Sequence, residues 1–316
     1  MNAAHWSVQK EVSSGYLGFK LTLFLFKIVP AIVVKLCAFP VSFFYYITSK
    51  RARAFSRQFL DKIFIFSGKK LSSFLHIFSF SLALIEKIEA WSGKSGFERI
   101  QFPENKFRKN DIAELIGLLE QNHGAALICS HLGNAEMLRA LANFNQTGVS
   151  RNVAVTSIVD FSVTANFNRM LKEFAPDSMS RIVSAEQIGA DTVIMLMDRT
   201  ASGELAVIAG DRTSALTKDA FPIKFLGEAA SFPFGAFLLA SILEVPVYFV
   251  FALRQKDIML FPKYDIYVHK NTVSFDCPRK KRKERLFECA SDYAKLLEYY
   301  CKAHPYQWYN FYDFWA

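Results

Sequence analysis

The sequence predicts an α/β protein: a mostly parallel sheet flanked by helices, preceded by an N-terminal amphipathic helical appendage. Three observations carry this. Short, fully apolar runs at 125–129, 205–209 and 247–252 have the length of buried strands and lack the alternation of a sheet with one wet face. Segments of helical periodicity separate them, at 111–121, 136–144, 167–174, 190–197 and 234–243. The most apolar stretch of the chain, 21–48, lies outside this alternation, near the N-terminus.

Taken in order, residues 1–20 lack the basic, apolar and small-residue sequence of a cleavable signal, so none is expected. In 21–48, Lys27 and Lys35 interrupt the apolar run and Pro30 and Pro40 break it. A spanning helix wants about 20 apolar residues, and a central Lys costs roughly 2.5–3.5 kcal/mol. Lys20 and Lys27 fall on one side of a helix, with Lys35 about 80° further round. A lysine stripe opposite Leu and Phe suits a helix lying in the membrane interface better than one crossing it; a pair of core helices covering the sheet is the alternative. Arg51, Arg53 and Arg57 follow, at headgroup level or on a solvated face. A second apolar helix is expected over 71–90. The polar stretch 93–109 then separates an N-terminal unit of membrane-associating helices, 1–92, from an α/β domain, 93–316. In that domain, further strands are expected at 153–159 and 181–183. The tail carries the basic run Pro278-Arg279-Lys280-Lys281-Arg282-Lys283, a helix to Cys301, and a strongly aromatic end.

Composition narrows the class. The chain has 316 residues, enough for one large domain with appendages. Its 32 Phe and slightly positive mean hydropathy point to a large apolar core or to contact with lipid. A net charge of +9 favours an acidic partner. There is no zinc-finger spacing or RNA-binding strand signature, so no nucleic acid is expected. Five widely spaced cysteines without a CxxC argue against a disulfide framework and a zinc site, and no metal is expected.

The chemistry-bearing stretch is Ser130-His131-Leu132-Gly133-Asn134-Ala135-Glu136, between the 125–129 strand and a helix. On one continuous helix, five residues would rotate His131 and Glu136 apart by about 140°. With His131 in the turn and Glu136 in the first helical turn they can converge, as a general base and its orienting carboxylate. Gly133 permits a sharp turn and Asn134 is a good N-cap. Backbone N–H groups at 133–135 can face a developing oxyanion. A capping His beside a surface Glu is the plain alternative. Asp211 also follows an apolar strand by two residues, so it and His131 share the carboxyl edge of the sheet, where ligands bind. No GxSxG elbow, Walker loop or GxGxxG is present. A base without a protein nucleophile suggests that a substrate hydroxyl attacks directly.

The His131–Glu136 spacing resembles the HxxxxD/E motif of the glycerolipid and lipid A acyltransferases, the lysophospholipid acyltransferase superfamily. Gly203–Arg212 looks like the strand-to-turn block of the bacterial lipid A enzymes, and the stretch from Phe221 to Ala236 like the block that follows it. Pro305 with Gln307-Trp308 is similar to their C-terminal Pro-x-Gln-Trp. GNxExxRAL and QWxNFYDFW are most similar to a subgroup of predicted bacterial acyltransferases related to the lipid A enzymes. The resemblance runs in order along the whole chain. Ala135 stands where lipid A enzymes often carry Trp, which leaves the acceptor open.

The resemblance implies a glycerol-3-phosphate acyltransferase-like fold and transfer of a fatty acyl group, without an acyl-enzyme, from acyl carrier protein or coenzyme A to a hydroxyl or amine of a lipid or glycolipid. It implies His131 as base, Glu136 as its partner, and pocket roles for Gly133, Asn134, Asp211 and Arg212. Arg139, Lys224, Phe225 and Gly227 are candidates for substrate binding, with an ion pair or core packing as their alternatives. No cofactor is implied beyond the thioester co-substrate. The expected location is the cytoplasmic face of a bacterial inner membrane, peripheral or monotopic. A non-catalytic lipid-binding membrane protein and a thioesterase using the same base on water are the rival expectations.

Overall fold

A computed structural model of the protein describes residues 28–91, 99–143, 147–159, 181–213 and 219–315. Lys20, Lys27 and the helix expected at 167–174 lie outside these residues. So does the Arg139 side chain, although its backbone is helical.

The described residues begin with three helices, α1 (Ala31–Thr48), α2 (Lys50–Ser67) and α3 (Ser73–Trp91). There follow β1 (Ile100–Gln101), α4 (Ile112–Glu120), β2 (Ala125–Cys129), α5 (Glu136–Asn143), β3 (Val155–Val159), β4 (Ile182–Ser184), α6 (Ala190–Ala201) and β5 (Leu205–Ala209). A hairpin, β6 (Ala220–Phe225) and β7 (Glu228–Pro233), leads into α7 (Phe234–Ile242), β8 (Val247–Arg254), β9 (Tyr264–Lys270) and the long α8 (Arg282–Ala303).

Seven strands form one sheet in the order β1-β9-β8-β2-β5-β3-β4. From β8 to β4 all neighbours are parallel; β9 runs antiparallel to β8 and carries the short β1. The predicted α/β class with a mostly parallel sheet is therefore present. The centre is apolar on both faces. Ile128, Ile208, Phe249 and Phe251 pack against α2, α7, α8 and the β6–β7 hairpin. Leu127, Leu205, Tyr248 and Val250 pack against α4 on the other face. This explains why these strands read as continuous apolar runs, since neither face is wet.

Four strands were not expected: the two-residue β1, both strands of the β6–β7 hairpin, and β9. β9 reads YDIYVHK, whose polar residues conceal an edge-side strand with alternating burial. In β6, Phe221, Ile223 and Phe225 are buried while Pro222 and Lys224 are exposed, a period of two that the sequence does display. The hairpin turns through Leu226 (φ +51°) and Gly227 (φ +92°), a pair of positive φ values suited to a two-residue connection.

The helical N-terminus is not packed apart from the sheet domain. Phe59, Leu60 and Ile63 of α2 belong to the same core as β2 and β5. Ser49 caps α2, its hydroxyl accepting from the Ala52 N–H at 3.3 Å, and Gly68 ends it in the left-handed region. In α3, the His76 ring bonds the Trp308 carbonyl at 2.8 Å and the Ser56 hydroxyl at 3.0 Å. Burial lowers the His76 pKa to about 4, so this ring is neutral and structural.

The lysine pattern of α1 turns out differently from the interfacial stripe. Lys35 points inward, is 2% exposed, and pairs with Glu89 of α3 at 2.7 Å. Lysine spacing along one helix carries no information about a carboxylate waiting on another. The outward face of α1 is instead apolar: Val33, Leu36, Phe39, Val41, Phe43, Phe44 and Ile47 are exposed. Among the described residues, α1 is the one helix long and apolar enough to cross a membrane.

Candidate active site

The site begins with register. β2 and β5 are adjacent and parallel, with Cys129 level with Ala209. Each strand then continues two residues past its end, which brings His131 and Asp211 side by side at the carboxyl edge of the sheet. The ring Nδ1 of His131 lies 2.8 Å from Asp211 Oδ1, and the His131 backbone N–H donates to Oδ2 at 2.9 Å.

Asp211 is fully buried and surrounded by donors. Its Oδ2 also accepts from the Trp308 indole at 3.2 Å and the Asn310 amide at 3.1 Å. Burial alone would raise its pKa. The His131 ring and backbone N–H, together with Arg212, outweigh that and hold it near 2. The group is thus a carboxylate, able only to accept. The proton between it and the ring must sit on Nδ1, and Nε2 carries the lone pair. Burial of the ring's inner edge, then the charges of Arg212 and Lys87, lower the His131 pKa; Asp211 opposes them. The side chain is still 34% exposed. The outcome is an imidazole that is neutral at pH 7, with a fixed tautomer and access to solvent: the requirements of a general base.

This corrects the expected partner. The carboxylate on Nδ1 is Asp211, from another strand, and not Glu136. Glu136 opens α5, is half-buried, and contributes its charge around Cys129 under the same turn. The HxxxxE spacing suggested a local pair because both residues lie in one short motif; the sheet supplies a nearer carboxylate from 80 residues away.

The turn itself is locked. Gly133 adopts φ +75°, its N–H donates to the Gln307 carbonyl at 2.8 Å, and the Asn134 N–H donates to the Ala252 carbonyl at 2.9 Å. These two N–H groups, expected to face an oxyanion, are therefore engaged within the protein. Asn134 starts the helix through its carbonyl, which accepts from Met137 N–H at 3.1 Å. Its amide is 1% exposed, lies beside Tyr264 and makes no capping bond.

The C-terminal segment forms the other wall. The Tyr309 N–H donates to the His131 carbonyl at 2.9 Å, and Leu132 bridges Trp308. Gln307 holds the end of β8, accepting from the Arg254 N–H at 2.9 Å and donating to its carbonyl at 2.8 Å. Below, the buried Arg254 guanidinium donates to Ser79 and Tyr309 and pairs with the buried Glu86 at 3.6 Å. Arg212 donates from Nε to the Asn310 Oδ1 at 2.8 Å and from Nη2 to the Tyr309 carbonyl at 3.1 Å. Trp308 and Asn310 thus belong to the site although they were not singled out as site residues. The Gln-Trp block held the signal, but nothing in the sequence showed that it returns to the turn after β2.

The remaining candidates separate. Arg212 is at the site, half-buried. Lys224 is exposed on β6. Phe225 is fully buried, with its ring 5.3 Å from Trp308 and 5.5 Å from Phe314, so it packs in the core behind the site. Gly227 serves the hairpin turn. Neither Cys129 nor Ser130, the two residues before His131, is an activated nucleophile. Burial, reinforced by Asp211 and Glu136, pushes the Cys129 thiol up to about 12. The Ser130 hydroxyl is buried and accepts from the Leu132 N–H at 3.2 Å.

Among the described residues, no group of His, Cys, Asp and Glu has the arrangement of a metal site. The chain matches no protein-family model. No curated protein matches it in sequence.

Proposed function

We propose that the protein is an acyltransferase, moving a fatty acyl group from a thioester of acyl carrier protein or coenzyme A to a hydroxyl or amine of a lipid or glycolipid. The observation that supports this best is the His131–Asp211 pair, a neutral imidazole of fixed tautomer with no activated nucleophile beside it among the described residues. His131 Nε2 takes the acceptor proton as the acceptor oxygen or nitrogen attacks the thioester carbonyl. Arg212, whose charge already bears on the imidazole, is assigned the developing oxyanion. The tetrahedral intermediate collapses with cleavage of the C–S bond, and the departing thiolate recovers the proton from His131. Glu136 is assigned a place in the surrounding field. A glycerol-3-phosphate acyltransferase-like fold accords with the parallel sheet and with a site at its carboxyl edge.

The test is product analysis. Protein incubated with a long-chain acyl-carrier-protein thioester and bacterial lipid extract is expected to yield an acylated lipid, detected by mass spectrometry. Release of free fatty acid alone would mean that water is the acceptor and the protein a thioesterase. An unconsumed thioester would favour a non-catalytic lipid-binding protein.

Membrane-surface association belongs to the same proposal, with the cytoplasmic face of the bacterial inner membrane as the location. It is supported by the apolar outer face of α1 and by Phe64, Ile65 and Phe66 at the end of α2, all exposed and followed by exposed Lys69 and Lys70. The run Arg279 to Lys283 is also exposed, which suits an acidic carrier protein. Phe43→Glu/Phe44→Glu is expected to lower co-sedimentation with anionic phospholipid vesicles at least tenfold, since each buried Phe contributes roughly 1.5–3 kcal/mol. Unchanged co-sedimentation would remove α1 from the contact.

A further inference from the structure

Asn310 occupies a position that only a carboxamide fits. It is 3% exposed. Its Nδ2 donates to Asp211 Oδ2 at 3.1 Å, and its Oδ1 accepts from Arg212 Nε at 2.8 Å. Arg212 can only donate and an ionised Asp211 can only accept, so the two neighbours fix the amide's orientation. A carboxylate here would face Asp211 with a second negative charge. A hydroxyl cannot span both neighbours, and an alkyl group would satisfy neither. The same segment is anchored to the catalytic turn through the Tyr309 N–H and to Asp211 through the Trp308 indole.

We propose that Asn310 is the positioning residue of the site: its amide clamps Asp211 and Arg212 in their mutual arrangement, and thereby sets the proton affinity of His131. This rests on His131 acting as the base, but the quantity it governs is a property of the imidazole alone and can be read without substrate. Two effects of losing the clamp have the same sign. Without the Nδ2 donor, the Asp211 charge is less compensated and attracts an imidazolium more strongly. Without the Oδ1 acceptor, Arg212 loses one of its two hydrogen bonds to the C-terminal segment, and its positive charge is held less firmly beside the ring.

The charged and titratable groups around this pair come from every packed element: Asp211 and Arg212 after β5, Lys87 on α3, Glu136 on α5, Cys129 on β2, Tyr293 and Cys301 on α8, and Tyr312 in the tail. Asn310→Leu alters none of them directly. It is expected to raise the His131 pKa by about one unit, the lower end of what a nearby opposite charge does. Asn310→Asp, which is isosteric and keeps an acceptor for Arg212, is expected to raise it further. Asn310→Gln, which keeps the amide one methylene away, is expected to return part of the shift.

The experiment is an NMR titration of the labelled imidazoles in the full chain, with His131 assigned by its loss in His131→Gln. Circular dichroism establishes that each variant is folded, and Asn310→Asp is read if Asn310→Leu does not fold. A titration midpoint within about 0.2 unit of wild type in the folded variant overturns the proposal, whatever the protein's activity proves to be. Where acyl transfer is measurable, the loss in kcat/KM is expected to be several-fold greater at pH 6 than at pH 8, because low pH protonates the altered base. A loss equal at both pH values marks a merely structural role and also overturns it.

Discussion

Asp211→Asn is expected to lower acyl transfer by about 10⁴-fold, as when the carboxylate of a His–Asp pair is replaced in serine proteases. The carboxylate accepts from His131 Nδ1 on one oxygen and from three donors on the other: the His131 N–H, the Trp308 indole and the Asn310 amide. An Asn side chain must place its NH₂ on one of those sides. On the Oδ2 side it would meet all three donors, so it turns toward the ring and donates to Nδ1. The imidazole then carries its proton on Nε2 and has no lone pair for the acceptor. Stability should suffer far less, by about 1–3 kcal/mol for one imperfectly satisfied buried group. The measurement is kcat/KM together with a thermal melt. Glu136→Gln in the same assay is expected to retain much more activity, because Glu136 is not the carboxylate on Nδ1. The opposite ranking would restore Glu136 as the partner.

Gly133→Ala is expected to destabilise the protein by about 2–5 kcal/mol and to remove activity with it. Two costs combine. A left-handed residue with a Cβ costs about 1–2 kcal/mol, and overpacking a filled site costs roughly 1–3 kcal/mol. Gly133 sits at φ +75°, and an added Cβ would collide with the Ala252 carbonyl oxygen and lie 2.9 Å from Leu253 Cδ2. The collision is with the backbone of β8, which cannot turn aside as a long side chain can. Relief would push the turn off β8, breaking the Asn134-to-Ala252 bond and moving His131 relative to Asp211. Urea unfolding reads the loss; a destabilisation under about 1 kcal/mol would show that the turn is not held as described.

The sequence disclosed the framework of this site more fully than its wiring. β2 and β5 are apolar, five residues long and free of breakers, and they lie where their periodicity placed them. Their equal offset to His131 and Asp211 was also legible, and it put both on one edge. What one dimension could not supply was strand adjacency. Only when β2 is known to lie beside β5, in the observed register, does the shared edge become a 2.8 Å contact. Lys35 illustrates the same limit, because its partner Glu89 lies on a different helix. Asn310 was hardest to foresee. It lies in an aromatic tail whose composition indicates packing, and its role depends on two neighbours nearly 100 residues upstream.

The central claim is that His131 Nε2 is the base that moves an acyl group from thioester to lipid. It is tested most directly by the rate of acylated-lipid formation from a carrier-protein thioester at pH 7.5, in wild type and in His131→Gln. The predicted result is a lipid product from wild type and a loss of at least about 10²-fold in the folded variant, the lower end of what general-base catalysis contributes. Turnover at the wild-type rate in His131→Gln would contradict the account.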